Sequence, residues 1–204
     1  MYMSRTKTRF ALLGLLSWKP MSGYDIKKIV DMGLSHFWNE NYGQIYPTLD
    51  LLVKDGLAKK SVDRHSGKRK RHVYRITPSG VTAFREWLAL PTDPPTVRNE
   101  LQLKFFLSSR LPTKTSLRII REYRLQQQQV LLEYRESEVA LREAIESGKY
   151  PAEVEEILTG HETKQNAKQK ARQCNIFLLT LHHGILAAEA RVVWCDQVIS
   201  NLIT

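Results

Sequence analysis

Cysteine is nearly absent from this chain of 204 residues, and the two present, Cys174 and Cys195, exclude a disulfide framework. On one continuous helix their separation of 21 residues would hold them roughly 30 Å apart, beyond bridging reach. Both read as buried, reduced thiols. The signatures H-E-x-x-H, C-x-x-C and G-x-S-x-G do not occur, and no glycine-rich phosphate loop is present. The adjacent histidines His182 and His183 would point apart on a helix, and His161 in G-H-E-T suits a helix start. No enzyme activity, metal or cofactor is therefore expected. No apolar stretch approaches the ~20 residues that span a bilayer. The run F-A-L-L-G-L-L-S-W after Arg5, Lys7 and Arg9 mimics a secretion signal, but it ends at Lys19-Pro20 without a small-residue cleavage site. Leu12, Leu13 and Leu16 recur in it at helical spacing. The expectation is a cytoplasmic protein with no membrane partner.

Acidic residues are scarce in one half only. Residues 1–90 carry 16 Lys and Arg against 7 Asp and Glu, whereas residues 91–204 carry 15 against 14. A localised excess implies a polyanionic partner. No amphipathic segment combines a basic face with a free apolar face, so nucleic acid is preferred over a membrane surface. With 42% hydrophobic and 25% charged residues the composition is globular and allows one or two domains.

The order of elements in the basic half is specific. A first helix covers about 5–17 and closes at Pro20. Ser22 with Asp25 three residues on makes a capping box for a second helix ending near Gly33. Ile45, Leu49, Leu52 and Val53 give a third helix one inward face. Pro47 places its start near Gly43 or Gln44, and Asp55-Gly56 stops it. Strands follow at about 57–62 and 72–77, joined by a turn at Ser66-Gly67. Thr77-Pro78 starts a fourth helix, with Val81, Phe84, Trp87 and Leu88 facing inward. This is the order of a winged helix-turn-helix over 1–90. Pro91, Pro94 and Pro95 make a stiff connector at 91–95. Residues 96–204 read as all helical, at about 96–109, 113–147 and a long final helix. The predicted fold is thus mainly α, with a two-stranded wing and a helical C-terminal dimerisation domain.

Duplex DNA is the polyanion this order suits. In the third helix Gln44, Tyr46 and Thr48 are placed to face outward: Gln pairs with adenine, and a Thr methyl meets a thymine methyl. Tyr42 and Tyr46 suit phosphate or sugar. Packing of Tyr46 against the second helix, and capping by Gln44, are the alternatives. In the wing, Arg64, Lys68, Arg69, Lys70 and Arg71 suit phosphates and the minor groove. Gly23 and Tyr24, at the start of the second helix, offer free N–H groups to phosphate. A winged helix that binds protein without DNA is the competing reading, and the basic wing argues against it.

The final helix carries Ala167, Ala171, Cys174, Leu178, Leu181, Ile185, Ala188, Val192, Cys195, Ile199 and Leu202 at spacings of 4 and 3, a heptad seam. Leu178, Leu181, Ile185, Ala188, Val192, Cys195, Ile199 and Leu202 are the candidate dimerisation residues. Packing on helix 113–147 of the same chain is the alternative, and both can hold at once, because Leu179, Leu186, Ala190 and Val193 widen the apolar surface past a narrow stripe.

These residues resemble the PadR family of bacterial transcriptional regulators. The resemblance rests on A-L-L-G-L-L at 11–16, S-G-Y-D-I at 22–26, G-Q-I-Y-P-T-L at 43–49, D-G-L at 55–57 and Y-R-I-T-P-S-G at 74–80, followed by Trp87. The C-terminal half is similar in architecture to the longer branch of that family, ending in a Trp-containing helix. The resemblance implies a homodimer on a palindromic operator, usually repression, and often release by a small aromatic or otherwise apolar effector. A cavity for such an effector is expected at the junction beyond the connector, with Phe105, Phe106 and Trp194 as candidate lining. Simple core packing is the alternative role for these three.

Overall fold

The computed structural model describes residues 2–31, 37–38, 42–63, 71–94, 98–159 and 166–203. The chain divides into two compact units, Met1–Thr92 with Pro151–Asn166, and Asp93–Tyr150 with Ala167–Thr204.

In the first unit, helices α1 (Tyr2–Trp18), α2 (Gly23–Ile29) and α3 (Tyr42–Lys54) precede strands β1 (Ala58–Asp63) and β2 (Arg71–Ile76) and helix α4 (Pro78–Leu88). The apolar positions that recur at helical spacing form its core: Leu12, Leu13, Leu16, Ile26, Val30, Ile45, Leu49, Leu52 and Tyr74 are almost fully buried. Truncating one of these leucines to alanine would cost ~2–5 kcal/mol. Pro47 lies inside α3, where it has no N–H to give the Gly43 carbonyl. Gly56, at φ 70°, takes the left-handed conformation that ends the helix and turns the chain into β1.

The wing strands pair antiparallel, from Ala58 opposite Ile76 to Asp63 opposite Arg71. The sheet also extends beyond the two expected strands. Met21 exchanges backbone hydrogen bonds of 3.0 and 2.8 Å with Tyr74, stitching the residue before α2 to β2. Thr77 caps α4 by accepting from the Gly80 N–H at 3.1 Å, and its hydroxyl donates to the Gly56 carbonyl at 2.7 Å. Phe10 of α1 stacks on Trp87 of α4 at 5.0 Å. Leu88, expected on the same inward face, stands exposed at the last position of α4.

Helix α7 (Ala152–Thr159) departs from the division expected from sequence, which placed all of 96–204 in one domain. It belongs to the first unit, packs on α1, and buries Leu158 completely. A helix of eight residues is not stable alone, so its short apolar side must dock on a preformed surface.

The second unit contains α5 (Glu100–Phe106), a single 3-10 turn at Ser108–Arg110, and the long helices α6 (Thr113–Ser147) and α8 (Ala167–Ile203). Arg124 pairs with Asp196, Arg191 with Gln127, and Arg135 with Glu189. Rising numbers on α6 meet falling numbers on α8, so the two helices form an antiparallel hairpin. Its seam is the heptad stripe itself. Cys174, Leu178, Leu181, Ile185, Ala188 and Cys195 are buried against α6 of the same chain, and Val192, Ile199 and Leu202 are half-buried. The stripe expected to join two chains is therefore used within one. The physical reason is effective concentration: a tethered helix reaches the seam before a second molecule can. Burial pushes the Cys195 thiol upward in pKa, consistent with an inert packing group.

Helix α8 also corrects the expectation about apolar length. It contains an 18-residue window of mean hydropathy 1.4, long and apolar enough to cross a membrane by length and composition. Thr180, His182 and His183 interrupt the apolar stretch in sequence without outweighing it.

Candidate nucleic-acid interface

Helix α3 shows which of its residues can meet a partner. Ile45, Leu49 and Leu52 are fully buried, while Gln44, Tyr46, Pro47 and Leu51 are exposed. Thr48, expected to face outward, is 8% exposed and turned inward. It lies three residues after Ile45 and four before Leu52, on the edge of the same buried stripe. The expected contact of its methyl with thymine is thus not available. Leu51 is the outward residue that sequence reasoning missed.

Tyr46 leans on the start of α2. A Cβ built on Gly23 would come within 2.6 Å of the Tyr46 ring, so glycine is required for the approach. Two residues expected to meet phosphate independently therefore form one contact, although Tyr46 remains 43% exposed. Tyr24, next to Gly23, is 62% exposed.

The N-terminus of α2 is already capped from within. Ser22 Oγ accepts from the Asp25 N–H at 3.3 Å, and Asp25 accepts from the Ser22 N–H and hydroxyl at 2.9 Å each. Arg71 completes the cluster from the tip end of β2: its guanidinium donates to Ser22 Oγ at 3.0 Å and pairs with the Asp25 carboxylate. Arg71, expected among the wing cations that grip phosphate, has its charge engaged by Asp25. Burial by itself would raise the Asp25 carboxyl. Hydrogen bonds from Ser22 and Arg71 outweigh it and hold the group below its ordinary range.

A second link ties the wing to α3. Lys60 of β1 donates to Asp50 at 3.1 Å, and the Tyr74 hydroxyl lies 3.5 Å from the same oxygen. The Asp50 hydrogen bond raises the Lys60 pKa, and burial raises that of Tyr74. The one acid on α3 is thereby held by the wing. The wing is fixed to both helices of the helix-turn-helix, through Asp25 on one side and Asp50 on the other. The capping box was legible in S-G-Y-D, but nothing local announced a partner for Asp25 46 residues away. Arg64, Lys68, Arg69 and Lys70 lie outside the described residues, as does the side chain of Tyr42.

In the second unit Phe105 meets Trp194 edge to face, with ring centroids 5.6 Å apart. Phe106, expected beside them, is 82% exposed. Each residue along helix α5 is rotated by about 100° from the one before, so adjacent phenylalanines cannot share one pocket. These two paired aromatics therefore pack inside one unit. A cleft of about 390 Å³ opens nearby between α5 and α6, lined by Leu101, Lys104, Phe105, Leu107, Ser108, Leu111, Ser116, Ile119 and Ile120.

A helix-turn-helix with a pinned wing, joined to a helical hairpin, is the build of a winged-helix transcriptional regulator. The profile of the Transcriptional regulator PadR-like family matches residues 12–86, and that of the Virulence activator alpha C-term family matches residues 97–202. The chain is 31% identical over 125 residues to the Negative transcriptional regulator PadR of Bacillus subtilis (strain 168), covering 61% of this chain and 68% of that protein. It belongs to the PadR-like family of transcriptional regulators, which is not a family of enzymes.

Solved structures agree on the fold. Bacillus subtilis PadR in complex with operator DNA superposes with a TM-score of 0.71 at 22% identity, covering 95% of this chain and 98% of that one. The same regulator in complex with p-coumaric acid gives 0.66, at 22% identity and coverage of 96% and 98%. The Vibrio cholerae virulence activator AphA gives 0.68 at 24% identity, covering 96% and 97%.

Proposed function

We propose that this regulator binds a palindromic operator in duplex DNA as a homodimer, in the cytoplasm, and represses transcription from it. The observation that carries the reading is the double pinning of the wing, Arg71 to Asp25 and Lys60 to Asp50. It holds the outward face of α3 and the strands of a cationic hairpin in one fixed relation, which a groove reader with a flanking phosphate grip requires. Gln44 and Tyr46 are the outward residues of α3 assigned to base and backbone. Arg64, Lys68, Arg69 and Lys70 are assigned to phosphates. The operator complex of Bacillus subtilis PadR supports this use of the fold, and that protein's role as a negative regulator supports repression. Activation is the second reading, favoured by the likeness of residues 97–202 to the virulence activator profile.

Because the heptad seam is occupied within the chain, the dimer is assigned to the opposite face of the hairpin. Ile176, Leu179, Leu186 and Val193 on α8 are exposed at spacings of 3 and 7, and Leu125, Leu132 and Val139 on α6 are exposed at spacings of 7. Such rows on a helix pair suit a second copy of themselves. For release, the cleft between α5 and α6 is assigned to a small, planar, apolar effector, with Lys104 at hand for a carboxylate. The p-coumaric acid complex of Bacillus subtilis PadR supports that chemistry. A ligand there releases DNA only if it binds the DNA-incompatible state more tightly.

The test is selection of genomic fragments by the purified protein, followed by footprinting. Two protected half-sites about one helical turn apart, related by a two-fold axis, are expected. Salt-sensitive binding with equal affinity for all sequences would refute the operator, and absence of DNA binding would refute the whole reading.

A further inference from the structure

The outward face of α3 carries no free charge before its last turn. The helix has no arginine, its one lysine is Lys54 in the last turn, and Asp50 is held by Lys60. The guanidinium fork that reads guanine is missing from this face. Besides Asp50 and Lys54, the exposed side chains are Gln44, Tyr46, Pro47 and Leu51. Gln44, Pro47 and Leu51 follow at i, i+3 and i+7, one line along the helix, while Tyr46 leans away toward Gly23. Leu51 is 42% exposed between Leu49 and Leu52, which are fully buried. Rotating α3 to hide Leu51 would bring Leu52 out, so the core itself holds Leu51 outward.

We infer that Leu51 is a base-reading residue whose methyl groups meet the 5-methyl of a thymine in the major groove. The inference rests on α3 being the recognition helix. The thymine methyl is the apolar feature a base pair presents on the major-groove floor. Against guanine or cytosine the same side chain would cover polar groups without hydrogen-bonding them. Leu51 takes the role that the buried Thr48 cannot. Seven residues of helix separate Leu51 from Gln44, roughly 10 Å, so with α3 along the groove the two contacts fall about three base-pair steps apart. The half-site read by α3 is thus an adenine and a thymine set by two neutral side chains, with Lys54 one turn beyond Leu51.

The test uses the full-length protein and the site it selects from genomic DNA, synthesised with deoxyuridine replacing each thymine in turn. This removes only the 5-methyl group. Wild-type protein should lose about four-fold in affinity at one thymine per half-site, the value of one methyl-sized apolar contact. Leu51→Ala should lose about the same factor on unmodified DNA and be indifferent to uracil at that position, with unchanged circular dichroism. Selective wild-type binding that ignores every uracil substitution, or a Leu51→Ala variant that still responds to uracil as wild type does, overturns the inference and leaves operator binding standing. Loss of all selective binding by the wild type would instead overturn the proposed function, and this inference with it.

Discussion

Arg71, the first residue of β2, closes onto the carboxylate of Asp25, the residue that completes the cap of α2. This relation makes Arg71 a positioning residue for the wing. Arg71→Gln should lower the stability of the first unit by about 1 kcal/mol, the scale of a half-exposed ion pair, as read by denaturant unfolding. The slope of log affinity against log salt should stay unchanged. A slope flattened by one contact would place Arg71 on a phosphate instead.

The same pair sets an acid dependence. The Asp25 carboxyl is held below its ordinary value in the fold. Its contribution is therefore full above the unfolded value of about 3.9 and is lost as pH falls through the lower folded value. Asp25→Asn should lose less stability than wild type between about pH 5 and pH 2. Equal losses in the two proteins would show that the pair does not sense pH.

The cationic hairpin has a different signature. Replacing Lys68, Arg69 and Lys70 by glutamine should weaken binding on all sequences and flatten the salt slope by up to ~0.9 for each phosphate contact removed. An unaltered slope would remove the wing tip from the interface.

On α3, Gln44→Ala should lower the ratio of specific to non-specific binding by up to ~1–3 kcal/mol. Thr48→Val should leave the preference as it is, because Thr48 faces the core. Competition binding on the selected site against random duplex separates the two. A changed preference in Thr48→Val would put that residue back at the groove.

The two faces of α8 should also separate. Ile185→Asp buries an unpaired carboxylate in the intrachain seam, where Ile185 is 3% exposed, and should cost several kcal/mol and melt the helical hairpin. Leu179→Asp with Leu186→Asp changes exposed positions and should keep helicity while giving a monomer in sedimentation. A double variant that still sediments as a dimer would move the interface off this row.

The order of elements from α1 to α4 was legible in the sequence, since capping, turn and periodicity signals act within a few residues. Ser22 with Asp25, Gly56, and Thr77 with Pro78 each do locally what their residue types predict. The inward stripe of Ile45, Leu49 and Leu52 also followed from spacing alone. Spacing defines a face, however, and not what covers it. Thr48 and Leu51 lie one turn apart on the same edge of that stripe, and only packing against the neighbouring elements turned one inward and left the other out. The heptad on α8 was plain, but whether its partner would be α6 or a second chain depended on the antiparallel hairpin that Arg124–Asp196 and Arg135–Glu189 lock. Likewise Asp25 and Arg71, and Leu158 and α1, are brought together by the path of the chain. Contacts so distant in sequence leave no periodic trace, because they arise only once the intervening elements have packed.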